Sequence, residues 1–127
     1  MSLKIFISDI HLSDTTTGKH NIKLKTLEGF WNDIKKDIAE AGGESELIVL
    51  GDFIDVIRST KWNGDIQPWK NTGDIKNVVK GIVEKVYEEN KSVFDKLNEY
   101  VQGGINLTYV MGNHDRLINS DGYDAIR

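Results

Sequence analysis

Three short apolar runs, each ending abruptly in a polar cluster, are separated along the chain by longer amphipathic stretches. Leu3-Lys4-Ile5-Phe6-Ile7 is rich in branched and aromatic residues and predicts a buried strand that ends at Ser8-Asp9. Ser13 to Lys19 is polar and turn-forming, hence a loop. Leu27, Phe30, Trp31, Ile34, Ile38 and Ala41 then recur at helical spacing until Gly42-Gly43 stops the helix. Glu46-Leu47-Ile48-Val49-Leu50 predicts a second buried strand, ending at Gly51-Asp52. Residues 59–73, with Trp62, Pro68 and Trp69, read as a long irregular connection. From Ile75 to Val101 an apolar stripe predicts one long helix over 74–101, roughly 42 Å at 1.5 Å per residue. Gly81 weakens it, and Asn90 on the apolar face marks a kink. Gly103-Gly104 ends it, and Ile105 to Met111 predicts a third strand. Asp121 followed by Tyr123 to Arg127 reads as the capped first turn of a further helix.

Strand, helix, strand, loop, helix, strand is the order of parallel strands joined by helical crossovers, an α/β fold. Composition narrows the class. The 127 residues are 39% hydrophobic and 28% charged, as in one ordinary globular domain. Sixteen basic against 20 acidic residues leave a net charge of −4, which argues against nonspecific nucleic-acid or anionic-membrane binding. With no cysteine, disulfides and thiolate metal sites are excluded. No apolar run approaches a membrane span, and Met1-Ser2-Leu3-Lys4 leads straight into a strand without a leader pattern. The expected location is the cytoplasm.

The candidate chemistry lies where the strands end. In an open α/β sheet, crossover loops leave a ligand crevice at the carboxyl ends of the strands. Those ends deliver Asp9-Ile10-His11, then Gly51-Asp52-Phe53-Ile54-Asp55, then Gly112-Asn113-His114-Asp115. Carboxylate, imidazole and amide oxygen suit manganese, iron or zinc. Taken singly, each cluster has a plainer reading as a turn or a helix cap. Three in order, each closing a predicted strand, point to a site.

These motifs resemble the first three motifs of the calcineurin-like metallophosphoesterases. The resemblance implies an α/β/β/α sandwich, of which this chain supplies the N-terminal half, and a two-metal phosphoester hydrolase. By that resemblance Asp9 and His11 bind the first metal, Asp52 bridges both, and Asn113 binds the second. His114 sits beside the scissile phosphate as proton donor, Asp55 orients its ring, and Asp115 closes the motif. Two divalent ions are implied, manganese first, with iron, zinc or nickel as alternatives. The family normally adds three further histidines, whereas this chain holds only His11, His20 and His114. His20, in the first loop, reads as a solvated residue.

Residues 1–127 are therefore expected to form one domain, incomplete at its C-terminus, and a poor catalyst as a lone monomer. A catalytically inactive scaffold, or a dimer that shares one site, are the alternatives. Substrate signals are few. Val56-Ile57 after Asp55, and Asp115 in place of Glu, depart from the protein serine/threonine phosphatase pattern. They turn the expectation towards phosphodiesters, pyrophosphates and small phosphomonoesters, with a nucleotide or nucleic acid as one possible substrate. Ile7 to Leu12 also resembles the UDP-diacylglucosamine pyrophosphohydrolases. Arg58 and Lys61 are candidate phosphate ligands. Trp62 and Trp69 are expected to pin their loop onto the helices.

Overall fold

The structure is a computed structural model that describes residues 2–64, 66–70 and 74–118. The further helix expected from Asp121 onward lies outside the described residues. Three parallel strands, β1 (Leu3–Ile7), β2 (Ser45–Leu50) and β3 (Asn106–Val110), stand side by side in that order. Helix α1 (Leu24–Ala41) crosses from β1 to β2, and Gly42 in the left-handed region ends it. Two helices, α2 (Ile75–Glu89) and α3 (Lys91–Gln102), cross from β2 to β3. The chain is thus the α/β fold that its element order predicts.

The register sets the geometry of everything that follows. Ile7 pairs with Val49, Val49 with Tyr109 and Leu50 with Val110, so all three strands finish level. Among the described residues, helices cover one face of the sheet. Leu47 and Val49 pack with Val79, Ile82 and Val86 of α2 and with Val93 and Leu97 of α3 in one core. On the opposite face Phe6 (57% exposed), Leu50 and Val110 are bare. The first two strands read as buried from their sequence, yet among the described residues only one side of the sheet is covered. No helix among the described residues is long and apolar enough to cross a membrane.

The single long helix expected over 74–101 is two helices, broken at Asn90. Asp74 caps the start of α2, accepting from the Asn77 backbone N–H at 3.4 Å. Asn90 is only 2% exposed, and a buried amide must find partners. Its Nδ2 donates to the Val86 carbonyl at 2.8 Å and to the Ser13 carbonyl at 3.1 Å. That second bond ties the helix break to the loop after β1. Lys61 reaches α2 as well, its Nζ donating to the Gly81 carbonyl at 3.2 Å. Asn90→Ala removes both side-chain bonds and is expected to cost about 1–3 kcal/mol, read as a lower urea midpoint at unchanged slope.

Candidate metal centre

Level strand ends bring the three polar clusters together, and the backbone between them is stitched. His11 N donates to the Asp52 carbonyl and Leu12 N to the Phe53 carbonyl, both at 2.8 Å. Asp55 N returns to the Leu12 carbonyl at 2.9 Å, and Val56 N reaches the His114 carbonyl at 3.1 Å. Within this lattice Asp9, His11 and Asp52 have φ of 55°, 51° and 50°. Left-handed backbone at a non-glycine residue costs of order 1–3 kcal/mol, and such residues cluster at functional sites.

Two glycines permit the close approach. A Cβ on Gly51, whose φ is 73°, would lie 2.7 Å from the Gly112 Cα. A Cβ on Gly112 would lie 2.5 Å from Asp52 Oδ1. Both distances are inside atomic contact, so neither position admits a side chain without movement. The result is a direct link between the second and third clusters, in which the His114 backbone N–H donates to Asp52 Oδ1 at 2.8 Å.

Asp55 lies at the centre with no exposed surface. Its Oδ1 accepts from the backbone N–H groups of Ile57 (3.1 Å) and Arg58 (3.0 Å) and from His114 Nδ1 (3.0 Å). Its Oδ2 faces His11 Nδ1 at 3.2 Å. Burial alone would raise this carboxyl's pKa, but the Arg58 N–H and the two imidazoles outweigh it and hold it below 3.8. An ionised carboxylate only accepts, so both rings carry a proton on Nδ1 and turn Nε2 away from Asp55. The rings meet edge to face, 4.9 Å between centroids.

Asp9, His11 and Asp52 then converge, with one ligand atom from each within 4.8 Å of the others. His11 Nε2 lies 3.6 Å from Asp9 Oδ1. Two carboxylates and a neutral imidazole nitrogen are a donor set that fits a hard or borderline divalent cation. His11, Asp55 and His114 also lie close enough to surround an ion. Both Asp55 oxygens, however, already accept from ring and backbone donors, so this group is a hydrogen-bonded support.

Asn113 is exposed and lines a cavity of about 350 Å³ with Ile57, Pro68, Trp69, His114 and Arg116. The structure thus gathers Asp9, His11, Asp52, Asp55 and His114, and sets Asn113 on the cavity wall beside them. Of the two phosphate candidates, Lys61 is engaged by α2 and Arg58 Nε lies 3.5 Å from Asp55 Oδ2. Trp62 pins its loop as expected, donating Nε1–H to the Val56 carbonyl at 2.7 Å. Trp69 does not, being 71% exposed. His20 is exposed, as read from the sequence.

Asp115 has a definite place that its motif position left open. Fully buried, it accepts from Gly112 N at 2.5 Å, from Phe53 N at 3.1 Å and from the Tyr109 hydroxyl. Burial first, and then this carboxylate, push the Tyr109 phenol far up, so it stays a neutral donor. Asp115 therefore fastens the loop after β3 to the loop after β2. Tyr109 gave no sequence signal beyond its alternation in a strand.

The sequence profile of the calcineurin-like phosphoesterases matches residues 5–127, and the chain belongs to that family of metal-dependent phosphoester hydrolases. Comparison with curated proteins and with solved structures returned no match.

The shared carboxylate yields a test. Asp55→Asn is expected to release the Nδ1-protonated tautomer in both His11 and His114, seen together in long-range proton–nitrogen NMR spectra. Because the folded pKa is depressed, the stabilisation by Asp55 is complete above pH 3.8 and fades as pH falls through the lower folded value. Wild type should therefore exceed Asp55→Asn in stability at pH 7, with the gap closing on acidification.

Proposed function

We propose that this chain forms the N-terminal half of a two-metal phosphoesterase centre that cleaves a phosphodiester, a pyrophosphate or a small phosphomonoester. Asp9 and His11 hold the first divalent ion, Asp52 is shared by both, and Asn113 holds the second. Manganese is the preferred ion, with iron, zinc or nickel as alternatives. Bound metal would supply charge neutralisation at the phosphate and a water acidic enough to be a nucleophile at neutral pH. Asp52 suits the shared position because a carboxylate offers two oxygens with one charge. Among the described residues its Oδ1 accepts the His114 N–H alone, which leaves lone pairs for cations.

His114 is the proton donor. Held by Asp55 through Nδ1 on the wall of the cavity, the ring in its imidazolium form can give the Nε2 proton to the departing oxygen and is left as the neutral Nδ1–H tautomer. The single observation that carries this reading is the convergence of Asp9, His11 and Asp52 beside a histidine whose tautomer a buried carboxylate fixes. A scaffold would require no such proton donor. The remaining metal ligands, in this proposal, come from a further layer packed on the bare face of the sheet or from a second copy of the chain.

Hydrolysis of bis(p-nitrophenyl) phosphate with Mn²⁺ by the complete protein tests the assignment. Asp52→Asn should abolish turnover, and His114→Ala should lower it by roughly 10²–10⁴ while metal binding survives. Unchanged rates in both variants would overturn the reading. Metal binding by wild type without turnover of any phosphoester would turn it into the scaffold.

A further inference from the structure

The cavity that His114 lines has chemistry beyond holding a phosphate. Trp69 stands on its rim 71% exposed, although large aromatic side chains are ordinarily well covered. Ile57 and Pro68 supply apolar wall, while Asn113, His114 and Arg116 supply polar groups. Arg116 makes no ion pair among the described residues, in a chain whose net charge is −4. The volume, about 350 Å³, lies at the small end of ligand pockets.

We propose that this cavity seats the base and a phosphate of a nucleotide, with the base stacked on Trp69 and Arg116 paired with a phosphate oxygen. The proposal rests on the phosphoesterase reading and narrows its substrate to nucleotide phosphoesters. An exposed indole offers a flat face to any base, and a guanidinium offers two parallel N–H groups to a phosphate. An acyl chain fits the same walls less well. It would require a long apolar groove, and half of the lining side chains are polar. Trp69 and Arg116 bind and orient in this scheme, and the proton transfer stays with His114.

Calorimetric titration of the purified chain with adenosine 5′-monophosphate, ribose 5-phosphate and octyl phosphate tests this, with and without Mn²⁺. Trp69→Ala should weaken adenosine monophosphate binding roughly tenfold and leave ribose 5-phosphate unchanged, with Trp69→Phe in between. Arg116→Ala should weaken both sugar phosphates alike. Tryptophan fluorescence quenching by the nucleotide should disappear in Trp69→Phe, since Trp31 and Trp62 are packed against the core. Adenosine monophosphate affinity indifferent to Trp69→Ala, no nucleotide binding at all, or octyl phosphate binding as tightly through Trp69 would each overturn the proposal. Its failure is separable from that of the hydrolytic reading. A chain that hydrolyses bis(p-nitrophenyl) phosphate but ignores Trp69→Ala refutes the base site alone. A complete protein that binds the nucleotide through Trp69 yet cleaves nothing supports the base site and refutes hydrolysis.

Discussion

The Asp55 carboxylate joins two imidazoles that arrive on different loops, and the geometry of the site depends on it. It is fully buried and would be costly there as an unpaired anion. Four donors within 3.2 Å, two from rings and two from backbone, remove that penalty and keep it ionised. In return it dictates the tautomer of His11 and His114 at once. One ring can then present Nε2 beside Asp9, and the other can present Nε2 to the cavity. A neutral amide at this position has one oxygen to accept with and an NH₂ that opposes a ring N–H.

That arrangement in turn requires the strands to end level. The pairings Ile7–Val49 and Val49–Tyr109 put Asp9, Asp52 and Asn113 in neighbouring turns. A shift of one residue in a parallel pair would move a side chain to the other face of the sheet and scatter the ligands. Gly51 and Gly112 then set how near the turns come. Asp115 and Tyr109 hold the third turn down from beneath, and Ser13 ties the first turn to the break between α2 and α3. The strained backbone at Asp9, His11 and Asp52 persists because all these bonds fix it from several sides.

How legible this was in the sequence depends on what each residue's signal reports. Strand ends at Ile7 and Leu50, and glycine stops at Gly42 and Gly103, follow from local patterning and are found where the pattern sets them, while the third strand, expected over Ile105 to Met111, is one residue shorter at each end. The motif residues were legible as a group because three clusters each closed a strand. Asn90 looked like a kink and is a break, since its outcome turned on the Ser13 carbonyl, 77 positions away. Lys61 looked free to take a phosphate for the same reason: the Gly81 carbonyl that engages it is a tertiary partner. Trp69 misled the reading of its loop because residue type reports average burial and says nothing of the side a loop faces. Asp14, Asp115 and Arg116 carry no periodic signal, and their roles come wholly from what folding brings beside them.

Lone-pair accounting separates support from function among the carboxylates around the site. Asp14 accepts from Thr16 N, Thr16 Oγ1 and Ser59 Oγ, and Asp115 from Gly112 N, Phe53 N and the Tyr109 hydroxyl. With Asp55 these are the fully buried ones, and each has most of its roughly four acceptor positions filled. Asp52 is only partly covered and, among the described residues, accepts a single N–H. Asp9, with 69% of its side chain exposed, faces the His11 ring alone among the described residues. A group that has spent its lone pairs on the chain can fix geometry but cannot bind an external cation. Those that have kept them, on strained backbone next to a free imidazole nitrogen, have the chemistry that a phosphoesterase metal site requires.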